Sequence, residues 1–374
     1  MQFRDLKRQY DFLKPNIDKA IFEVINDSNF ILGKQVDELE KKLASYVGRK
    51  YCVSCANGTD ALVLALMAIG VGKDDAVFVP DFTYIATASS VSFIGATPIF
   101  VDIDLDTFNM SHKSLELMIE KVIKEDKLKP KAIIPVDLFG LPADYNNISE
   151  IANKYKLKVI EDAAQGFGGR INDKIACSFG DISCTSFFPA KPLGCYGDGG
   201  AIFTDDEEIY NLIKSLRSNG KSETDKYDNI RIGMNSRLDT IQAAILNVKF
   251  DAFVNNELEN INVIANKYTK SLKDKFKTPH IPDAFFSSWA QYTILCDSED
   301  QRNKLKSVLK DNNIPSMIYY PRGMHQQKCF SKYKFDNNHY SNTIEATKRV
   351  LSLPMHPYLY DKEIDEVCNI INKV

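Results

Sequence analysis

The sequence predicts an α/β fold, with a large domain on a mostly parallel sheet and a small α+β C-terminal domain. Three observations carry this. Between residues 51 and 204, short and almost wholly apolar stretches alternate with amphipathic stretches of helical period, the pattern of parallel strands covered on both faces. Polar clusters recur just past the apolar stretches, where open α/β sheets collect their sites. After a long amphipathic run at 243–272 the pattern changes to strand, helix, strand and final helix. The expected domains are therefore 1–247, an N-terminal segment plus the large domain, and 248–374.

In chain order, Ile21, Val24 and Ile25 recur at helical spacing over 18–30, and a second amphipathic helix runs over 36–46. Between them lies the apolar loop NFILGK, whose Phe30 and Ile31 are expected to pack in the core. YCVSC is a strand, Asn57 and Gly58 form a turn, and a helix opens near Thr59 and Asp60. Strands follow at AVFVP, TPIFVDID, AIIPVDLFG and KVIEDAAQ, separated by helices over 83–94, 113–124 and 148–155. GGAIFTDD returns as a strand, a helix begins past Glu207, and a charged, mobile loop spans 221–228. Asn235, Ser236 and Arg237 lead into a helix from about Asp239, with Leu238, Ile241 and Ile245 on its apolar face. The second domain holds strands WAQYTILC and PSMIYYP, a helix over 303–311 and a last helix from Asp361.

Composition narrows the function classes. Over 374 residues, 44% are hydrophobic and 26% charged, ordinary values for a globular protein. Lys+Arg 47 against Asp+Glu 50 leaves a net charge of −3, so no overall basic field favours nucleic acid or anionic lipid. The start, MQFRDLKRQYDF, lacks the apolar centre of a signal peptide, and no later run is long enough to span a bilayer. A cytoplasmic location is expected. Eight cysteines at irregular spacing suit reduced thiols. Cys52 and Cys55 form a CxxC without a second pair or a nearby histidine, so no metal site is expected.

The most unusual stretch is TSFFPAKPLGCYGDGGAIFT, residues 185–204. Lys191 sits there between apolar residues and a run containing four glycines, Gly194, Gly197, Gly199 and Gly200. Burial disfavours an ammonium, and a neutral amine can attack a carbonyl to form a Schiff base. A buried lysine paired with Asp198 fits the same stretch. The glycine turn before Thr59 aims free N–H groups outward, as a phosphate site requires, although many such turns carry Asn-Gly for geometry alone. Asp162, ending a buried strand, either caps the next turn or binds a ligand cation.

Taken together, ANGTDAL, EDAAQ, the 185–204 block and NSRLDTIQAAIL resemble the DegT-type sugar aminotransferases. The resemblance covers nearly the whole chain and implies the aspartate-aminotransferase architecture, pyridoxal-phosphate fold type I. Within that family YCVSCANGTDAL, the lysine block and SLPMHPYL look closest to enzymes that aminate the 3-ketone of UDP-2-acetamido-2-deoxy sugars, notably the glucuronate type. Tyr319 departs from the histidine expected there.

The resemblance implies pyridoxal 5'-phosphate as cofactor. It implies that Lys191 holds it covalently and then moves a proton, and that Asp162 pairs with the pyridine nitrogen. Gly58, Thr59 and Ser186 would grip the phosphate, Tyr84 would stack on the ring, and Gln165 would hydrogen-bond the ring hydroxyl. The glycines after Lys191 would let backbone pass close to the cofactor. Asn235 would reach the phosphate of a partner subunit, making a homodimer with shared sites. Arg237, Tyr320, His325 and His356 would contact substrate. The arginine fits either a donor carboxylate or a solvated ion pair, and each histidine a structural role as well. The implied substrates are L-glutamate and a nucleotide-linked keto sugar, for lipopolysaccharide or other surface glycan synthesis. Rival readings are a dTDP-linked 3-keto or 4-keto-6-deoxy sugar as acceptor, and a non-catalytic cofactor-binding regulator. Retention of Lys191 argues against the family's dehydratase branch, which has histidine there.

Overall fold

The computed structural model describes residues 1–225, 227–333 and 335–374. Strands β1 (Tyr51–Cys55), β2 (Asp75–Pro80), β3 (Thr97–Val101), β4 (Lys129–Ile133) and β5 (Lys158–Asp162) are followed by short β6 (Arg170–Ile171) and β7 (Lys174–Ile175), then β8 (Ile182–Ser186) and β9 (Gly200–Thr204). Seven of these form one sheet in the order β1-β9-β8-β5-β4-β2-β3. β9 runs against both neighbours, and the other pairings are parallel. The carboxyl ends of six strands therefore share one edge.

The helices are α1 (Leu6–Asp27), α2 (Lys34–Val47), α3 (Gly58–Ala68), α4 (Ile85–Phe93), α5 (His112–Glu125), α6 (Tyr145–Tyr155), α7 (Glu207–Leu216) and α8 (Thr240–Ala252). α3, α4 and α7 pack on one face of the sheet with Val53, Cys55, Val77 and Ile160. α2 and α8, with α5 and α6, cover the other, meeting Cys52, Phe203, Phe78 and Ile133. Side chains alternate along a strand, so Cys52 and Cys55 enter opposite cores and cannot share a metal.

A five-residue π turn, Phe253–Glu257, joins α8 to α9 (Leu258–Leu272). Beyond it come β10 (Phe285–Phe286), β11 (Tyr292–Leu295), α10 (Glu299–Asp311), α11 (Ser341–Arg349), β12 (Val350–Leu353) and α12 (Asp361–Ile371). Phe253 still packs with α2 and α8, whereas Ile261, Tyr268, Leu305 and Val367 form a second core with antiparallel β11 and β12. Phe330 and Tyr340 turn back into the first core.

Several elements differ from expectation. α1 starts at Leu6 because Gln9, Leu13, Ile17 and Val24 make a buried stripe through its charged first half; it ends at Asp27, where Ser28 adopts left-handed φ (50°). Ile25 faces solvent. In AIIPVDLFG the regular ladder ends at Ile133, Val136 adds one bridge to Asp162, and Leu138–Gly140 is a 3-10 turn. PSMIYYP is not a strand: Met317 makes one bridge to Ser352, and Pro315 and Pro321 lack the donors a ladder needs. Phe30 and Ile31, expected in the core, are 45% and 43% exposed: the Phe30 carbonyl accepts the Thr240 N–H and Ile31 bridges the exposed Asp239, so backbone pairing holds this loop while its side chains face outward. Of the charged loop 221–228, Lys226 lies outside the described residues. Among the described residues no helix is long and apolar enough to cross a membrane.

Candidate active site

A cavity of about 780 Å³ opens at the shared edge of the sheet. Gly58 and Thr59 follow β1, Tyr84 follows β2, Asp162 and Gln165 end β5, and Ser186 and Lys191 follow β8; all line it. Six further lining residues, Ile318, Tyr319, Tyr320, Met324, Gln327 and Cys329, come from the segment beyond α10.

Asp162 is 4% exposed. Its Oδ2 accepts from Thr87 Oγ1 (2.8 Å) and its Oδ1 from the Ala164 N–H (3.2 Å). Burial pushes this carboxyl above the usual carboxylate range, while Thr87, Ala164 and Lys191 pull it back. Burial brings the Lys191 ammonium down to about 8, against the attraction of Asp162 and aided by Arg4. The carboxylate acting on Lys191 is thus Asp162 and not Asp198.

The lysine loop is tightly folded. The Lys191 N–H donates to the Phe188 carbonyl (2.9 Å) and the Cys195 N–H to that of Phe187 (2.8 Å). A Cβ on Gly200 would lie 2.6 Å from the Asn57 carbonyl, and one on Gly58 2.7 Å from Ser186 Cβ. These glycines let protein meet protein, which brings the start of α3 against the end of β8. The expectation that the post-lysine glycines make room for the cofactor changes accordingly at Gly200.

Gln165 Oε1 accepts from the Phe139 N–H (3.0 Å), and its Nε2 donates to the Tyr320 hydroxyl (3.1 Å). Tyr320 is thereby joined to the β5 end. Asn235, expected at a partner's phosphate, and the other expected substrate residues lie elsewhere. Asn235 and Arg237 line a smaller pocket of about 410 Å³ with Ile31, Gly197, Asp239 and Gln242, and Asp198 borders both pockets. Ser236 anchors that loop by accepting the Ala56 N–H (3.1 Å). His325 is buried off the cavity, its Nδ1 2.6 Å from Asp81 Oδ2, its backbone N–H donating to Oδ1 (2.8 Å), its ring stacked on Tyr340. His356 is buried with neither ring nitrogen partnered, and burial lowers it to about 4.

Pyridoxal phosphate presents an anionic phosphate, a pyridine nitrogen, an aldehyde and a flat ring. The cavity matches each. The Gly58 and Thr59 N–H groups head α3 beside the Ser186 hydroxyl, and Asn57 Oδ1 caps Asp60 (2.8 Å). The buried Asp162 carboxylate suits a protonated ring nitrogen, Tyr84 offers a half-exposed ring, and Lys191 an amine easily made neutral. Thr87 and Arg4 were missed at the sequence level: a threonine in an apolar helix and an arginine in a charged N-terminus carry no local signal.

Comparison with known proteins gives the family. The profile of the DegT/DnrJ/EryC1/StrS aminotransferase family matches residues 12–372. The UDP-2-acetamido-2-deoxy-3-oxo-D-glucuronate aminotransferase of Pseudomonas aeruginosa is 44% identical over 98% of this chain and 98% of its own. The UDP-N-acetyl-3-dehydro-alpha-D-glucosamine 3-aminotransferase of Acidithiobacillus ferrooxidans is 39% identical over 99% and 96%. A solved aminotransferase of the family from Brucella abortus superposes with TM-score 0.97 at 47% identity, covering 100% of this chain and 99% of its own. The chain belongs to the DegT/DnrJ/EryC1/StrS aminotransferase family and is a pyridoxal-phosphate-dependent transaminase.

Proposed function

We propose that the protein moves the amino group of L-glutamate to the 3-ketone of a UDP-linked 2-acetamido-2-deoxy sugar. It does so in the cytoplasm as a homodimer with shared sites, supplying lipopolysaccharide or another surface glycan. The observation that carries the chemistry is Lys191, its amine readily neutral, in one cavity with the buried carboxylate of Asp162. The acceptor rests on the 44% and 39% identical relatives, both named for 3-oxo UDP-sugars; relatives named for dTDP-sugars are 37% and 32% identical.

Each residue then has a task. Gly58, Thr59 and Ser186 hold the phosphate, Asp162 keeps the ring nitrogen protonated, Tyr84 covers a ring face, and Gln165 orients the ring hydroxyl. Bound pyridoxal phosphate supplies an electron sink that eases loss of a proton from the carbon beside the nitrogen. The Lys191 amine would be the base that takes up that proton and the acid that gives one back. Leu62, Ile85, Val136 and Phe188 exclude water around it. Asn235 reaches the phosphate in the partner subunit's cavity, and Tyr320 and Arg237 position the substrates, which use the cavity in turn.

The test is borohydride reduction followed by peptide mapping, together with assay of keto sugars made by coupled dehydrogenases. Cofactor should be fixed on the Lys191 peptide, and product NMR should show a 3-amino UDP-sugar. A Lys191→Ala variant that still aminates would sink the assignment; product only from a dTDP-sugar would move the acceptor to the rival reading.

A further inference from the structure

The residues before and at the start of α1 make contacts out of proportion to their number. The Phe3 carbonyl accepts the Met355 N–H (3.1 Å), and the Phe3 ring meets Tyr319 of the cavity wall edge-on at 6.1 Å. Arg8 forks onto Glu363 (2.7 and 2.8 Å) and donates to the Tyr358 carbonyl (3.1 Å), while Gln9 Nε2 donates to Glu257 Oε1 (2.8 Å). Between them Arg4 reaches the catalytic loop: its Nη2 donates to the Lys191 carbonyl at 2.7 Å and to the Pro192 carbonyl at 3.5 Å. The segment thus touches the lysine loop, the cavity wall, the π turn and the C-terminal domain.

An arginine on two carbonyls gains hydrogen bonds without neutralising its charge. Glu257, the carboxylate acting on Arg4, already takes Gln9 and the Tyr358 hydroxyl (2.6 Å) on Oε1, and Arg4 Nη1 is buried without a partner. Burial brings Arg4 down to about 10 and its neighbour Lys249 to about 8. His356, held near 4 by burial and Arg4, adds no charge at neutral pH. The charged groups acting on the Lys191 amine are Asp162 from the β5 end and Arg4 from the N-terminal segment.

We propose that the N-terminal segment is a strap across the domain junction, and that Arg4 is a positioning residue for Lys191: it pins the lysine's own peptide and keeps a positive charge behind the amine, so that the amine is presented neutral to the cavity. The inference rests on Lys191 as the reactive lysine but on no choice of sugar. It gives the N-terminus a part in the chemistry, exerted through the protonation state of another residue.

The test is competitive labelling of the full-length protein, stripped of cofactor, with trace acetic anhydride between pH 6 and 10. Acetylation of the Lys191 peptide is read by mass spectrometry against an added amine. The parent should half-titrate near 8. Arg4→Gln should raise that point by about half a unit, a roughly threefold loss of neutral amine below it, with a cooperative thermal transition retained. Arg4→Lys keeps the charge and should titrate close to the parent. The proposal is overturned if folded Arg4→Gln titrates like the parent, or if both variants shift alike, since the charge would then be irrelevant. If Arg4→Gln does not fold, a shifted half-point in Arg4→Lys overturns it by itself. Continued amination by Lys191→Ala would instead strike at the assignment of Lys191, whatever Arg4 does.

Discussion

Asp162 shows how single side chains set this site. Its charge is opposed by burial and supported by the Thr87 hydroxyl and the Ala164 N–H. A hydrogen bond to a charged group contributes about 1.5–3 kcal/mol, so Thr87→Val should weaken cofactor binding by about tenfold or more. The direction with pH follows. Removing a donor to the carboxylate raises its pKa further, so the ionised form is lost at higher pH as acid is added. The acid limb of the pH–activity profile should move up, while the alkaline limb stays. Spectrophotometric cofactor titration across pH checks this; parent affinity and an unmoved acid limb would exclude Thr87 as the support. Thr87, Arg4 and Asp81 were illegible in the sequence because their partners stand 75, 187 and 244 residues away. Asp162 was legible because it ends an apolar strand, Lys191 because it stands in an apolar, glycine-rich loop, and Ser186 through the motif that carries the family resemblance.

At the scale of elements, the site depends on the start of α3 lying against the end of β8. Gly58 allows it, and a Cβ there would come within 2.7 Å of Ser186 Cβ and 3.2 Å of its Oγ. Gly58→Ala must therefore push apart the two elements proposed to hold the phosphate. Overpacking of this kind costs about 1–3 kcal/mol, and the strain falls on the cradle itself. Cofactor affinity should drop by at least about tenfold and the melting temperature of the cofactor-free protein should fall by several degrees. Unchanged cofactor affinity in calorimetry would show that the contact is not part of the cradle. Periodicity revealed these elements well where strands were apolar on both faces. It failed at α1, whose buried stripe includes Gln9, and at PSMIYYP, whose apolar residues wall a cavity instead of filling a sheet.

At the scale of the molecule, the proposed homodimer accounts for features of the single chain. Phe12 and Phe22 of α1 are 67% and 63% exposed, and the consecutive Phe30, Ile31 and Leu32 are 45%, 43% and 40% exposed. Isolated apolar side chains are common on surfaces, whereas a contiguous set marks an interface. The pocket of Asn235 and Arg237 shares the lining residue Asp198 with the cavity, and among the described residues the buried Arg237 Nε has no hydrogen-bond partner. If this loop serves the neighbouring subunit's cavity, Lys191→Ala and Asn235→Ala damage different halves of a composite site. Unfolding and refolding the two inactive variants together should then restore activity. Random pairing makes about half of the dimers hybrid, each with one intact site, so the mixture should regain about a quarter of parental activity per dimer. If Asn235 instead acts in its own chain's cavity, each hybrid keeps one site damaged by each substitution and no recovery occurs. Activity after co-refolding, with dimer mass checked by light scattering, separates the two arrangements.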